Sequence, residues 1–249
     1  MKAWARALFL LGVLIAPAAS FGQPITAELS TDRVEISTGF TGASVLVFGA
    51  TQNPLGGDPP EDLIVVATGP TQGVVVRRKI NVLGIWLNGP STRFPEVPGF
   101  YALTGTRRVW EILPEDERRQ YRLGFDNLRL RSEGNRNPSF RAALLELKQA
   151  DGRWQEYAAP VARAGERLFS ARISFPATVQ TGDYQIEVLL AREGRVIARQ
   201  ELSLRVERVG SGGGFLDGFG SLLGERQQSD IAGHGWMGFR VDGRGDRFP

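Results

Sequence analysis

The residues best equipped for chemistry in this chain are basic. Arg77, Arg78 and Lys79 follow a β-branched run, and Arg107-Arg108 and Arg118-Arg119 add positive charge in the middle of the sequence. Clustered guanidinium groups bind carboxylate or sulfate-like anions through forked hydrogen bonds. On a strand, however, alternation sends Arg77 and Lys79 to one side and Arg78 to the other, so the competing reading is a solvated edge or face. The trio is the candidate anion site, and the solvated strand is the reading it must displace.

Trp86, Phe94, Phe100, Tyr101 and Trp110 could line a groove for a sugar or a peptide. Aromatic residues in strands more often fill the core, and core is the expectation for this set. Asp58, Glu61 and Asp62 lack the dense oxygen-ligand spacing of a calcium loop, so no metal site is expected there. Glu115, Asp116 and Glu117, behind Pro114, suit the first turn of a helix, whose dipole favours negative charge. The chain has one histidine, His234, and no cysteine. Disulfides, thiolate metal sites and cysteine nucleophiles are thereby excluded, and a catalytic triad is hard to assemble. There is no phosphate-binding loop, dinucleotide fingerprint or Gly-x-Ser-x-Gly elbow. The expectation is a protein that is not an enzyme and holds no cofactor.

The elements that would position these residues are mostly strands. A chain of 249 residues, 42% hydrophobic and 23% charged, can bury a substantial core. Residues 1–22 read as a secretory signal peptide: Lys2 and Arg6, an apolar stretch from Ala7 to Ile15, then Ala16-Pro17-Ala18-Ala19-Ser20. A membrane anchor would need about twice that apolar length. With Lys2 and Arg6 set aside, the formal charge of +3 falls to +1, and a nucleic-acid partner is not indicated. An exported chain without cysteine fits a bacterial periplasm.

Residues 23–105 read as a β-sandwich-like domain of short strands, punctuated by Gly39, Gly42, Gly56-Gly57, Pro59-Pro60, Gly69-Pro70 and Gly89-Pro90. Residues 106–123 read as a short helical connector broken by Pro114. Residues 124–209 read as a second β-sandwich-like domain, with a helix over 139–149 whose apolar face is Phe140, Ala143, Leu144 and Leu147. Leu168 to Phe175 alternates, Gly182-Asp183-Tyr184 opens a strand, Glu193-Gly194 makes a tight turn, and Val196 to Val206 alternates again. The fold class is mainly β: two immunoglobulin-like sandwich units with a short helical insert, a likeness of architecture that carries no function. Residues 210–249 are Gly-rich, with no apolar periodicity.

Several stretches resemble a known family. They are Thr38-Gly39-Phe40-Thr41-Gly42-Ala43, Val47-Phe48-Gly49-Ala50, Asp62-Leu63-Ile64-Val65-Val66 with Gly69-Pro70, and Val76-Arg77-Arg78-Lys79. Gly84-Ile85-Trp86-Leu87-Asn88, Pro98-Gly99-Phe100-Tyr101-Ala102, Leu168-Phe169 and Gly182-Asp183-Tyr184 complete them. In order, from about Ile25 to Val209, the chain resembles the alphaproteobacterial putative transmembrane proteins. The resemblance implies a signal peptide, a periplasmic β-rich region and a C-terminal membrane helix. It also implies genes beside a sulfite-exporter-type permease, and it brings no catalytic residues. No run after Val209 is long or apolar enough to span a bilayer. Reading the codons for Trp236 and Met237 one base later opens a frame compatible with apolar residues, so 210–249 reads either as a true tail or as a frameshifted anchor.

The expected function is therefore a binding or assembly protein, periplasmic and held at the inner membrane, with an inner-membrane permease as its candidate partner. Two alternatives stay open: a periplasmic hydrolase using paired carboxylates, and a soluble ligand-binding module built around an aromatic or arginine-lined pocket.

Overall fold

A computed structural model of the chain describes residues 24–209 and the backbone of Trp236–Arg240. The leader, His234 and the rest of the 210–249 tail lie outside the described residues. The fold is mainly β, as the alternation predicts.

Its centre is strand β4, Glu61–Thr68, in which every residue from Glu61 to Ala67 is buried. An unbroken apolar run cannot face water on either side, so it demands a sheet covered on both faces. The sheet that holds it runs β2 (Arg33–Ile36), β13 (Arg195–Arg208), β12 (Gly182–Arg192), β4, β7 (Tyr101–Gly105) and β9 (Trp154–Glu156). One face carries Leu63, Val65, Ala67, Tyr184, Ile186, Val188 and Leu190. It packs against a second sheet of β1 (Ile25–Leu29), β3 (Gly42–Thr51), β11 (Leu168–Pro176) and β10 (Ala162–Ala164), which contributes Val45, Val47, Phe169, Ala171, Ile173 and Phe175. The opposite face carries Ile64, Val66, Leu103 and Leu189. It is covered by the hairpin of β5 (Thr71–Val82) and β6 (Ile85–Pro98) and by two helices, α1 (Val109–Ile112) and α3 (Pro138–Ala150), while α2 (Glu115–Gln120), which follows α1, buries none of its residues. The short β8 (Glu133–Gly134) extends the hairpin beside β6, and β14 (Trp236–Arg240) lies parallel to β5 on its other side.

The pairing cuts across the division expected from the sequence. In place of a 23–105 unit followed by a 124–209 unit, β3 pairs with β11 and β4 with β12, so both halves of the chain build one sandwich and share one core. The side chain of Gln200 adds a further tie. Its Nε2 donates to Ala27 O at 2.8 Å and its Oε1 accepts from Ala27 N at 2.7 Å, stitching β1 to β13. At one end of this core, Phe100 and Phe175 stack at 4.7 Å, with Tyr184 edge-on to both. Tyr184 donates to Gln180 O at 2.6 Å and so pins the turn that opens β12. Gly69 is glycine because a Cβ there would lie 2.6 Å from the Tyr184 ring.

Two local expectations are corrected. Gly89-Pro90 is not a turn but an irregularity inside β6, where the register against β5 slips between Arg77 and Lys79. A bulge tolerates the missing proline N–H. The actual turn is Leu83-Gly84. Helix α3 starts and stops where its signals lie, with Asn137 Oδ1 accepting from Ser139 N and Gly152 leaving at φ +69°. Its buried face, however, is Phe140, Ala143, Leu144 and Lys148, with Leu147 half-buried. The i, i+4, i+8 row from Phe140 points straight at the sheet, and the lysine occupies its last position.

Lys148 Nζ has no hydrogen-bond partner among the described residues. Burial, helped by the charge of Arg153, pulls its proton affinity down to about 8 from the ordinary 10.5. Between those values the unfolded chain holds the extra proton, so stability should climb as pH rises from about 8 towards 10. Burial pushes Tyr157 and Tyr184 up to about 12 from 10.0, so above pH 10.0 the unfolded chain loses protons first and stability should fall. The expected profile is a maximum near pH 10. Lys148→Met should raise the melting temperature at pH 7 by about 3 °C or more and flatten the rise, as followed by circular dichroism across pH.

Candidate functional site

The second face of the central sheet is not filled along its whole length. Past Val66 on β4 and Leu189 on β12, the sheet presents Thr68, Gln185 and Glu187 instead of apolar side chains, and a cleft of about 710 Å³ opens over them. Thr71 and the β6 residues Glu96 and Pro98 form one wall. The segment 121–131 forms the other, with Tyr121, Arg122, Arg129 and Arg131 along the cleft. A smaller hollow of about 460 Å³ shares Glu96 and Arg131 and adds Arg136.

That segment has almost no regular structure, and side chains hold it in place. Tyr101 Oη donates to Arg122 O at 3.3 Å and accepts from Gly124 N at 2.9 Å. Burial raises the Tyr101 phenol well above its usual range, which keeps that donor protonated. Glu156 accepts from Phe125 N at 2.6 Å, and burial lifts its carboxyl above the ordinary value. Arg141 reaches from α3 to the carbonyls of Phe125, Asp126 and Leu128 at 3.0–3.3 Å. Leu123 and Leu128 are buried in the core below. Arg122 itself sits at φ +55°, a left-handed conformation strained for any residue but glycine, at the edge of the cleft.

The electrostatics are one-sided. From Arg118 to Arg141 the chain carries seven arginines and two acids, Asp126 and Glu133. Among the described residues, the guanidinium groups of Arg122, Arg129 and Arg131 make no hydrogen bond or ion pair, whereas Arg141 is spent on the segment's backbone. Of the two acids lining the cleft, Glu187 pairs with Arg199 at 2.9 Å, and Glu96 has no partner among the described residues.

The residues singled out from the sequence lie elsewhere. Arg77, Arg78 and Lys79 sit on β5 and do not converge. Arg78 donates to Ser139 Oγ at 2.8 Å and lies over the Phe140 ring, while Lys79 is exposed on the other side of the strand. Arg107 is tied to Asp62, Arg119 to Glu115, and Arg108 covers the rings of Trp110 and Tyr157. Burial tends to raise the Asp62 carboxyl, but hydrogen bonds from Arg107 and Thr106 and the charge of Arg107 hold it below the usual range. Glu61 pairs with Arg192, and among the described residues no acidic or histidine cluster is arranged to hold a metal. Phe94, Phe100 and Tyr101 are core, as expected. Trp110 is half exposed, edge-on to the Tyr157 ring, and Trp86 is half-buried on the outer hairpin.

The cleft arginines escaped notice because Arg129-Leu130-Arg131 lies in a stretch with neither helical nor strand periodicity. The one signal was density: arginine outnumbers acid across 118–141, next to a run that must be anchored by others.

A family model described as "Putative transmembrane protein (Alph_Pro_TM)" matches residues 24–214. No curated protein matches the chain. Among the described residues, no helix is long and apolar enough to cross a membrane.

Proposed function

The chain belongs to the family of putative transmembrane proteins, Alph_Pro_TM, and from that premise we propose that it is a non-catalytic binding module on the periplasmic side of the inner membrane. In this reading the arginine-lined cleft takes a small anion, a carboxylate or a sulfur or phosphorus oxyanion. One observation carries the reading. Three guanidinium groups without partners among the described residues border a cleft of about 710 Å³, and forked donors of this kind are matched by planar or tetrahedral oxyanions. Glu96, also unpaired, favours a ligand that brings hydrogen-bond donors as well as negative charge. A permease partner would receive or deliver that anion.

Titration calorimetry with sulfate, sulfite, phosphate and short dicarboxylates is the test. At least one should bind, with an affinity that weakens as salt is raised. Arg129→Glu with Arg131→Glu should weaken it at least about tenfold without lowering the melting temperature, since both side chains are exposed and unpaired. Absence of binding across the panel at low ionic strength would overturn the reading.

Glu96 and Glu187 line one cleft, which supports a second reading as a hydrolase using paired carboxylates. Under that reading Glu96→Gln would abolish turnover of a glycoside or ester substrate, and absence of any turnover by the unaltered chain would overturn it.

A further inference from the structure

Half of the exposed large apolar side chains lie in one place. Of the ten among the described residues, five fall between Ile80 and Leu87: Ile80, Val82, Leu83, Ile85 and Leu87. They occupy the outer end of the β5–β6 hairpin, whose inner end is buried through Val74, Val76, Phe94 and Val97. The cross-strand pairs Ile80 with Leu87 and Val82 with Ile85 put four aliphatic side chains on one face, and Asn81 opposite Trp86 on the other.

The turn itself is informative. Leu83 and Gly84 have φ of +53° and +86°, the geometry of a tight hairpin turn that favours Asn-Gly. Leucine is strained there, and its side chain is 98% exposed. Asn81 Oδ1 closes the turn by accepting from Gly84 N at 2.9 Å. A sequence that places leucine at a left-handed apex, surrounded by water, gains nothing for the fold from it.

The charge beside this apex has one sign. Between Thr71 and Pro98 the hairpin carries Arg77, Arg78, Lys79 and Arg93, and Glu96, near its inner end, is the one acid. Lys79 and Arg93 are exposed. Lys79 lies four residues back from Leu83, about 13 Å along a strand at ~3.3 Å per residue. An apolar end of that length, a tryptophan partway up and basic groups at its base match the depth profile of the headgroup region of an anionic bilayer.

We propose that the hairpin end 80–87 inserts apex-first into the interfacial layer of an anionic phospholipid membrane, with Lys79 and its basic neighbours at headgroup level. The insertion is independent of the anion cleft. It would hold the domain against the bilayer at a fixed height, whatever other anchor the chain has.

The chain has no cysteine, so a single Leu83→Cys in the full chain can carry an environment-sensitive fluorophore, with Glu166→Cys, an exposed position in the far layer, as reference. With vesicles of phosphatidylglycerol and phosphatidylethanolamine, the probe at 83 should shift to the blue and brighten, and the probe at 166 should not. With phosphatidylcholine alone both should stay unchanged. Lys79→Glu should weaken the response to anionic vesicles by about fivefold or more. Leu83→Asn with Ile85→Asn should weaken partitioning, read by flotation of the hairpin-reporting label moved to Val82→Cys, at least about tenfold. Its melting temperature should hold or rise, because asparagine suits the turn. No shift at 83, equal shifts at 83 and 166, or a shift at 83 that grows with protein concentration without vesicles would each overturn the proposal, the last by assigning the apex to a second copy of the chain.

Discussion

Arg192→Ala is expected to lower the stability of the fold by about 2–3 kcal/mol, a fall of roughly 4–12 °C in melting temperature. Glu61 opens β4 and Arg192 closes β12, and the two stand directly opposite in the antiparallel register. The Glu61 side chain is 1% exposed and that of Arg192 34% exposed. Arg192 Nε and Nη2 and Asn53 Nδ2 all donate to Glu61 Oε1, the two longer bonds at 3.0 and 2.9 Å. Removing the guanidinium leaves a buried carboxylate with one remaining donor, and the penalty is the desolvation of that charge. The one-third exposure of Arg192 keeps the estimate at the lower end of what buried pairs show. Glu61→Gln with Arg192→Met removes both charges and keeps a partner for Asn53, so it should recover more than half of the loss. A double-mutant cycle by urea unfolding measures this. A coupling energy near zero would mean that the pair contributes nothing to the seam between the halves of the chain.

The second large effect concerns that seam as a whole. Separate chains 24–105 and 124–209 should each fail to fold. Severing them strips β3 of its nine register pairs with β11 and β4 of its eight with β12. Val45, Val47, Leu63, Val65 and Ala67, none more than 1% exposed in the intact protein, would then face water. Burying a side chain of the Val or Leu class is worth about 1.5–3 kcal/mol, so the loss exceeds the whole stability of an ordinary domain. Neither half should show a cooperative thermal transition or dispersed amide resonances. Mixed in equal amounts, the two should regain both in part, since the missing strands are supplied from outside. Independent folding of either half would contradict the interleaved sandwich.

How much of this was legible in the sequence depends on whether the determining contacts are local. The ends of α3 were readable because Pro138 and Gly152 act within a turn of the helix they delimit. The Glu193-Gly194 turn was readable for the same reason, both residues having positive φ. The run from Asp62 to Thr68 was readable as a short strand, but neither its burial on both faces nor its neighbours were. That β4 lies between β7 and β12, the latter more than a hundred residues further along the chain than β4, is settled by packing that no short window contains. The burial of Lys148 was hidden because lysine at the end of an apolar row ordinarily turns outward. The cleft was hidden for a related reason. Its arginines sit on irregular backbone held by Tyr101, Glu156 and Arg141, three residues with no sequence proximity to one another.

The same reasoning separates the two basic groups of the chain. Arg77, Arg78 and Lys79 are adjacent in sequence and diverge in space, since strand geometry alternates their sides. Arg122, Arg129 and Arg131 are not adjacent, but they lie on one irregular segment and border one cavity. Adjacency on a strand therefore does not bring guanidinium groups together, whereas an arginine-dense irregular segment laid over a sheet does.

The central claim is that the cleft arginines bind an anion, and it is tested most directly at the guanidinium groups themselves. Side-chain Nε–Hε resonances of the arginines can be followed by nitrogen-15 NMR during titration with sulfate, sulfite, phosphate and a dicarboxylate, with assignments from single Arg→Lys variants. The account predicts saturable shifts of Arg122, Arg129 and Arg131 with one shared dissociation constant, while Arg192, held by Glu61, stays still. Uniform, non-saturating shifts over all exposed arginines would show only ionic-strength effects and would contradict it.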